Sequence, residues 1–392
     1  MNIQVSILSK RKTLMDQTKK TSPIFVCIKK ALESNINNIK ESFKDETIKT
    51  NIFYPYKTND WEEVCKIIHD NEINAEVSNL KELKQAIKLK AKKIVYNSPL
   101  KTEKDIVFIS KHENIITIID NEDEIELINN ISIKEKKVLD VGVRIRFNNK
   151  KNNLSRFGTN LENLEHIINK VNKASSLKFI GIHFHIGTKI TKPDFYCKRI
   201  RLISNYLRGI KKENKEKIRF IDIGGGFGIS EIGTYLTLQN FIVNKINKMF
   251  NLKINFRPRI IESEIITKFG RKIVDEFKKS ISDIAGLNKV ELWIEPGRFL
   301  VSNTIHLLTK VRTIKEENNI ILDAGSNLLG AANYYKEYHK IINLSNPSKN
   351  KMNVTLYGPL CMEDDIIGHE IFGTRIEKED ILCVTNLGAY CQ

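Results

Sequence analysis

Long apolar runs and patterned cysteines are both missing from this chain of 392 residues. A membrane-spanning helix needs about 20 consecutive apolar residues, and charged residues interrupt every apolar run here well before that length. The six cysteines form no Cys-x-x-Cys pair and no His-Cys ligand spacing, so the sequence indicates neither a zinc site nor a disulfide framework. We therefore expect no membrane span, no bound metal and a reducing, cytoplasmic setting.

Acidic residues are also scarce, since 47 Asp and Glu stand against 64 Lys and Arg and the formal charge is +17. Such an excess can indicate a nucleic-acid partner. The basic residues, however, are spread over stretches such as KKENKEK and KLKAKK, which are typical of solvated helix faces and contain no interleaved aromatic residues. The chain begins with only a short apolar run before charged residues. We expect neither nucleic-acid binding nor export.

What the chain has is a regular alternation of short β-rich runs and helical patterns, which is typical of a parallel α/β fold. Segments with helical period, such as WEEVCKIIHDN and NLKELKQAIKL, follow the first two runs. The spacing predicts a (β/α)8 barrel over residues 30–298, with a doubly wound sheet as the alternative. The predicted strands are 51–57, 75–78, 93–99, 115–120, 138–147, 179–187, 220–228 and 290–298.

The pattern changes after the last of these runs. Pieces such as TIHLLTKVRTIK, NIILDAG and DILCVTNLGAY are β-like and lack regular helical spacers. The opening segment also contains a strand-like stretch, SPIFVCI. We therefore predict a second, all-β domain built from the two chain ends, residues 1–29 and 299–392.

The predicted strand ends carry the candidate catalytic and binding residues, because barrels of this kind hold their active site at the C-terminal ends of the strands. Three glycines after the seventh strand leave backbone N–H groups open, which suits a phosphate, although a tight turn is the alternative reading. The predicted strand-end residues are Lys57, Arg144, His185, Thr188, Gly224, Gly225, Gly226, Glu295, Gly297 and Arg298.

Some of these residues have specific requirements. Glu295 ends an apolar strand, so its carboxylate is costly to bury without a cation, and a protonated pyridine nitrogen would supply one. His183 and His185 share one strand face, but only His185 reaches the strand end, and we interpret His183 as a core histidine. With Lys57 as the amine for a Schiff base and Arg298 for a phosphate or carboxylate, these are the parts of a pyridoxal 5′-phosphate (PLP) site.

Ten stretches, in order along nearly the whole chain, carry a resemblance to a known family. The chain resembles the fold-type III PLP-dependent decarboxylases, the group of diaminopimelate, ornithine and arginine decarboxylases with an alanine-racemase-like barrel. One stretch is also similar to decarboxylases of natural-product pathways, such as the butirosin-type enzyme that acts on a glutamyl carrier protein. The stretches are YPYKTND, EVSNLKEL, VYNSPLKTEKDI, RFG, GIHFHIGT, DIGGGFGI, EPGRFLV, DAGSN, GPLCMEDD and LGAY.

The resemblance implies roles for individual residues. Lys57 looks like the Schiff-base lysine, His185 like the imidazole stacked on the cofactor ring, and Glu295 like the partner of the pyridine nitrogen. Tyr390 resembles a tyrosine that reaches phosphate or substrate, and Cys361 a cysteine contributed across a head-to-tail homodimer with shared active sites. The implied phosphate clamp comprises Thr188, Gly224, Gly225, Gly226, Gly297 and Arg298. The implied activity is that of a carbon–carbon lyase, in which Cys361 or Lys57 donates the proton after CO2 is lost.

The substrate side departs from the family pattern. Diaminopimelate decarboxylases typically carry an Arg-Pro pair where this chain has Ala331 and Ala332, and an acid where it has Met362. Unless one of the acids at 363–365 replaces it, a distal ammonium lacks its ligand, which favours an unusual or carrier-protein-bound amino acid. Candidate substrate contacts are Arg298, Tyr335, Met362, Glu363 and Tyr390.

Other functions remain open at this point. A racemase on the same barrel is disfavoured by Glu295, because racemisation is helped by an arginine beside an unprotonated ring nitrogen. A non-catalytic PLP-binding homologue that acts as a partner protein is favoured by Ala331 and Met362 and disfavoured by Lys57. Family members usually extend further than the GAYCQ ending of this chain, which implies a shortened β domain or a truncated sequence.

Overall fold

The structure is a computed structural model that describes residues 3–147, 155–230, 232–250, 256–315 and 318–391. The chain divides into two compact units. The barrel unit comprises residues 33–228 and 264–297, and the β unit comprises residues 1–32, 229–263 and 298–392.

Strands and helices alternate through most of the chain. The strands are β1 (Ile24–Cys27), β2 (Thr50–Pro55), β3 (Asn74–Val77), β4 (Ile94–Tyr96), β5 (Ile115–Ile119), β6 (Leu139–Arg146), β7 (Thr159–Asn160), β8 (Leu177–Phe184), β9 (Phe220–Gly225), β10 (Gly233–Thr234), β11 (Arg259–Ile260), β12 (Glu291–Glu295), β13 (Ile305–Lys315), β14 (Asn319–Leu322), β15 (Glu337–Tyr338), β16 (Ile341–Asn343), β17 (Pro347–Tyr357), β18 (Ile366–Gly373) and β19 (Ile381–Val384). The helices are α1 (Ile3–Leu8), α2 (Arg11–Lys20), α3 (Lys29–Ser42), α4 (Glu62–Asp70), α5 (Leu80–Lys88), α6 (Glu103–Ile109), α7 (Asp123–Lys134), α8 (Leu164–Lys173), α9 (Asp194–Gly209), α10 (Lys212–Lys215), α11 (Leu238–Phe250), α12 (Ile266–Phe277), α13 (Gly297–Val301) and α14 (Ala331–Tyr334).

Parallel strands close into a ring in the barrel unit. They pair in the order β5-β4-β3-β2-β12-β9-β8-β6, and pairing between β5 and β6 completes the ring. Two of the connecting helices begin at side-chain caps: Asn79 accepts from Glu82 N at the start of α5, and Thr102 and Asp105 form a capping box on α6. All C-terminal strand ends therefore meet at one end of the barrel.

Aromatic rings fill the barrel interior. Phe220, the first residue of β9, stacks on Trp293 with ring centroids 3.6 Å apart. Gly181 makes room for this pair, because a Cβ there would lie 2.3 Å from the Phe220 ring. The interior is thus a packed core rather than a channel. The other buried members of the cluster are Phe53, Val95, Ile118 and Ile180.

Two sheets organise the β unit. The larger runs β1-β13-β14-β17-β18-β16-β19, with an additional β13–β19 pairing, and the smaller runs β11-β10-β15. Helices α1 and α2 bury Ile3, Ile7 and Leu14 in a cluster that includes Ile342 and Leu344. No helix among the described residues has the length and apolar character needed to cross a membrane.

The predicted barrel and the strand-rich second domain are confirmed, with differences in detail. Residues 229–263, which the predicted barrel of 30–298 included, group with the β unit because β10 pairs with β11 and β15 instead of with a barrel strand. The β unit is also mostly β rather than all-β, since it contains α1, α2, α11 and α14. Short strands between long loops carry too little periodicity to reveal this grouping.

Candidate active site

Lys57 lies directly after β2, on a single 3-10 turn formed by Tyr56–Thr58. Its Nζ donates to both carboxylate oxygens of Glu76, at 2.9 and 2.7 Å. Glu76 comes from the neighbouring strand β3 and is completely buried. Burial raises the pKa of Glu76, and the positive charge of Lys57 opposes that rise. The amine is therefore held at the strand end by a carboxylate at its side.

Gly297 allows the ends of β2 and β12 to lie close together. A Cβ at this position would lie 2.3 Å from Thr58 Oγ1 and 2.6 Å from Pro55 Cγ. Only glycine allows the backbone after β12 to lie this close to the turn that carries Lys57. Pro55 and Thr58 are thus packed against the backbone of a predicted site residue.

Glu295, Asp222 and His183 form a buried cluster beside Lys57. One ligand atom from each of the three lies within 4.8 Å of the others. His183 Nε2 is 3.2 Å from Glu295 Oε1 and 3.3 Å from Asn97 Nδ2. Burial lowers the pKa of His183 well below its usual value, so the ring is neutral at pH 7. Burial, and then the charge of Glu295, raise the pKa of Asp222.

This cluster has an unmet demand for a cationic donor. Glu295 Oε1 and Asp222 Oδ2 are buried and accept no hydrogen bond from any described residue. Buried carboxylate oxygens without donors are costly. A protonated pyridine nitrogen supplies both a proton and a charge, so the residues present fit PLP. The three side chains could also ligate a metal ion, but the adjacent amine of Lys57 has no role in such a site.

The triple glycine is required by close backbone contacts. A Cβ on Gly225 would lie 1.9 Å from Glu295 O, and one on Gly226 would lie 1.9 Å from Gly187 O. Gly224 and Gly226 have φ angles of +68° and +92°, which favour glycine. Gly224 N donates to Asp222 Oδ1 at 2.8 Å. The expectation of three open N–H groups is therefore wrong for Gly224.

His185 faces this loop at the mouth of the barrel. Its Nδ1 accepts a hydrogen bond from Gly225 N at 3.3 Å, so the second of the three amides is also engaged. Desolvation among the strand-end residues lowers the pKa of His185 to about 4, although the side chain keeps solvent access on one side. The ring is therefore neutral at pH 7 and can present an uncharged face to an aromatic ligand.

Arg144 and Thr188 differ in how firmly they are held. The Arg144 guanidinium lies 3.6 Å from Asp120 Oδ1 and 3.4 Å from Asn97 Oδ1, with Phe157 in cation–π contact. Because Asn97 also contacts His183, Arg144 is joined to the buried cluster through one amide side chain. Thr188 is exposed at the loop after β8.

Arg298 is engaged by a residue that the sequence interpretation did not name. Its NH1 and NH2 each lie 3.3 Å from a carboxylate oxygen of Glu337, and its guanidinium lies 5.1 Å from the centroid of the Tyr390 ring. Arg298 and Glu337 are both buried within the β unit. Arg298 is therefore already paired, and any anion that it binds has to share it with Glu337.

Three of the predicted substrate contacts in the β unit, together with the predicted catalytic Cys361, are solvent-exposed, whereas the predicted contact Arg298 is buried. Tyr335, Cys361, Met362 and Glu363 all have exposed side chains, with Met362 at 58%. Asp365, in contrast, is buried and accepts from Ser326 N at 2.6 Å and from Leu360 N at 2.8 Å. Asp365 holds its own loop in shape, so it does not replace the acid that Met362 displaces.

Glu76, Asn97 and Asp222 were missed by the sequence interpretation, and the interpretation of His183 as an ordinary core residue was wrong because it contacts Glu295. The signal was present. The argument applied to Glu295, that a carboxylate in an apolar strand needs a cation, holds equally for Glu76 in NAEV and Asp222 in FIDIGG.

Comparisons with known proteins agree with this geometry. A family described as "Pyridoxal-dependent decarboxylase, pyridoxal binding domain" matches residues 30–302. The diaminopimelate decarboxylase of Archaeoglobus fulgidus is 25% identical over 384 residues, covering 94% of this chain and 83% of that protein. That of Methanocaldococcus jannaschii is 26% identical over 394 residues, covering 94% and 82%.

Solved structures extend the likeness to the whole fold. The diaminopimelate decarboxylase of M. jannaschii superposes with a TM-score of 0.80 at 24% identity, covering 96% of this chain and 85% of that one. The arginine decarboxylase of Paramecium bursaria Chlorella virus gives 0.75 at 19% identity, covering 98% and 95%. At these identities the solved structures establish the fold alone, whereas the matched family model indicates the chemistry.

Proposed function

This chain belongs to the pyridoxal-dependent decarboxylases, and from that premise we propose that Lys57 holds the cofactor aldehyde and that the buried cluster at the barrel end carries the reaction. Its cofactor is PLP and its reaction class is decarboxylation of an amino acid. The observation that carries the proposal is the pair of donor-deficient carboxylates, Glu295 and Asp222, next to a lysine at a strand end. Asp120 and Glu124 near Lys101 also leave one oxygen each without a donor, but Lys101 Nζ is occupied by Glu124 Oε2 at 2.8 Å and Ser98 O at 2.7 Å.

Five residues at the end of the barrel have specific roles in this proposal. Glu295 and Asp222 keep the ring nitrogen protonated, and neutral His185 packs against the ring face. When bound, PLP withdraws the electron pair left by loss of the α-carboxyl group. Glu76 orients Lys57 Nζ, which takes up and returns protons at the reacting carbon.

The substrate side of the proposal rests on the β unit. We propose a homodimer in which the exposed Cys361 of one copy completes the site of the other, and in which either Cys361 or Lys57 donates the final proton. With Met362 in place of an acid and Asp365 engaged by two backbone amides, the substrate is an amino acid without a strongly bound distal ammonium. The six cysteines are free, which suits a reducing cytoplasm.

A carrier-protein-bound amino acid is the second candidate substrate. The observation that favours it is the exposure of Met362, which leaves no buried acid at the position where the family binds a free distal amine. A substrate tethered to the carrier through its side chain keeps its α-carboxylate free to leave as CO2 and does not require that acid.

The test combines spectroscopy with a substrate screen. The purified protein should show the visible absorbance of lysine-bound PLP, and Lys57→Ala should abolish it, whereas Lys81→Ala, which removes an exposed lysine, should not. CO2 release is then measured from free amino acids and from carrier-bound aminoacyl groups. A wild type that stays colourless after PLP addition overturns the proposal. Release from meso-diaminopimelate at ordinary enzyme rates overturns the substrate assignment, and a monomer at all concentrations overturns the shared site.

A further inference from the structure

Residues 232–260 form an excursion within the β unit, and the pairing of β10 with β15 joins it to the rest of that unit. They run through β10, α11 and β11, and the excursion closes on itself because Gly233 pairs with Ile260 and Thr234 with Arg259. We call this segment the α11 excursion. Its sequence contains five Lys and Arg and no Asp or Glu, although the whole chain has 47 acidic residues. Its charge is therefore of one sign.

Helix α11 exposes five of its apolar residues, while Val243 and Ile246 are partly buried. Asn240 is buried, and its Nδ2 donates to Tyr235 O at 2.8 Å and to Arg257 O at 2.9 Å. A surface helix normally shows the reverse pattern, with polar residues outside. The exposed apolar residues of the excursion are Leu236 (65%), Leu238 (77%), Phe241 (57%), Ile242 (48%), Met249 (70%), Phe250 (61%) and Ile260 (54%). An apolar surface of this kind marks an interaction site.

A lysine interrupts this apolar surface. Lys245 is exposed and lies one helical turn from Phe241 and Met249, with its Nζ 4.8 Å from the centroid of the Phe241 ring. A cation in the middle of an apolar face is poorly placed for immersion in lipid chains. The same arrangement suits a partner that offers a carboxylate between apolar side chains.

A cavity of about 410 Å³ adjoins the same face. Leu236 and Phe241 form one wall, and Leu329, Ile366 and Ile367 form another. Its polar rim includes both Lys336 and Asp364, so the cavity selects for apolar groups rather than for charge. This volume can accommodate a large apolar side chain, the usual anchor of a helix bound in a groove.

We propose that the α11 excursion docks an acidic amphipathic helix of another protein. The apolar residues of that helix cover the outward face of α11, one of them enters the cavity, and its carboxylates pair with Lys245. A second copy of the same face is a poor occupant, because the excursion has no acidic residue that could pair with Lys245 of the other copy. This surface goes beyond the decarboxylation proposed above and does not depend on it.

The test uses the PLP-loaded full chain and a fluorescent helical peptide of about 20 residues with Leu and Phe on one face and Glu on the other. We expect micromolar binding by anisotropy that weakens between about 50 and about 300 mM salt. A peptide with Lys in place of Glu, and one with Ser in place of Leu and Phe, should each bind at least about tenfold more weakly. Equal binding of the Glu and Lys peptides, or no binding of the Glu peptide, overturns the proposal.

Variants locate the surface. Lys245→Glu and Ile242→Gln should each weaken peptide binding about fivefold or more, whereas Lys198→Glu, the same charge change on an exposed lysine of the barrel unit, should not. Ile366→Trp, which narrows the cavity, should also weaken binding if circular dichroism shows an intact fold. Lys57→Ala should bind the peptide normally, which separates this proposal from the reaction. Binding of phosphatidylglycerol vesicles without peptide binding overturns the proposal in favour of a membrane surface.

Discussion

The barrel unit and the β unit both bury charged side chains, but they satisfy them differently. In the barrel unit, oxygens of Glu295 and Asp222 are left without donors. In the β unit, NH1 and NH2 of Arg298 pair with Glu337 and Asp365 accepts from two backbone amides, while Arg298 Nε and Asp323 Oδ2 are single atoms without a hydrogen bond. The contrast teaches that unmet hydrogen-bonding demand identifies a ligand site more sharply than buried charge does. The following experiments test whether that contrast holds.

The largest effect is expected for Glu295→Gln. Loss of the charge that holds the ring nitrogen protonated should lower the rate of CO2 release about 1,000-fold, or ~4 kcal/mol. Because the carboxylate lacks donors, the cofactor-free protein should not become less stable and should gain about 1 kcal/mol. Glu291→Gln, the same change at the opposite end of β12, is the control and should leave the rate within about twofold. A variant with normal activity would contradict the role of Glu295.

Glu337→Gln should lower the free energy of unfolding, whereas Glu295→Gln should raise it. The Glu337 substitution leaves the Arg298 guanidinium buried without its anion, and breaking such a pair costs about 3 to 5 kcal/mol. Urea unfolding of the cofactor-free protein measures this loss. Glu379→Gln removes the partner of exposed Arg312 and should cost under about 1 kcal/mol. Equal losses in the two variants would erase the contrast between the units.

Acid should destabilise the β unit through His306. Burial lowers its pKa to about 3, from an ordinary value of 6.5, so the folded state binds fewer protons than the unfolded state between these values. The free energy of unfolding therefore falls as the pH drops from 6.5, by about 3 kcal/mol at pH 4. His306→Gln should flatten this part of the stability profile, and surface His166→Gln should not. Identical profiles for His306→Gln and the wild type would refute the assignment.

Glu76→Gln tests a buried carboxylate of the barrel end that, unlike Glu295 and Asp222, has a lysine as its direct partner. Lys57 would lose the acceptor that orients its Nζ, and we expect CO2 release to fall about 100-fold with cofactor affinity about tenfold lower. Titration of the apoprotein with PLP, followed by absorbance, separates the two effects. Exposed Glu72→Gln, four residues earlier, serves as the control. An unchanged rate would show that Lys57 is positioned without Glu76.

Met362→Glu should have the smallest effect. A carboxylate at this exposed position gives a distal ammonium a partner, so kcat/KM for a diamino acid should rise about tenfold relative to a neutral amino acid. Met362→Gln, of similar size and without charge, should not change that ratio. A rise in both variants would point to side-chain packing instead of charge.

Much of the fold and half of the site could be predicted from sequence. Apolar runs of strand length between helical periods revealed the barrel, and Lys57, His185 and Glu295 could be named because each ends such a run. Glu76 and Asp222 also lie in apolar strands, but a single carboxylate within a run does not show which neighbouring strand supplies its partner. That depends on strand order, which placed β3 beside β2 and β9 beside β12.

The pairing of Arg298 could not be predicted for a different reason. Glu337 is 39 residues away along the chain, and it sits on a strand of two residues, too short for any periodic signal. The grouping of 229–263 with the β unit is likewise decided by two-residue strands. Long-range contacts between irregular segments are the part of this protein that only coordinates reveal.

The stacked pair Phe220 and Trp293 has a consequence for how substrate and products reach and leave the site. These rings and their neighbours fill the interior, so the barrel is open only at the end where the strands terminate. Substrate, carbon dioxide and amine product must all pass through the mouth at which Lys57 and His185 lie. Product must therefore leave before the next substrate binds, and slow product release would limit the turnover rate just as a slow chemical step would.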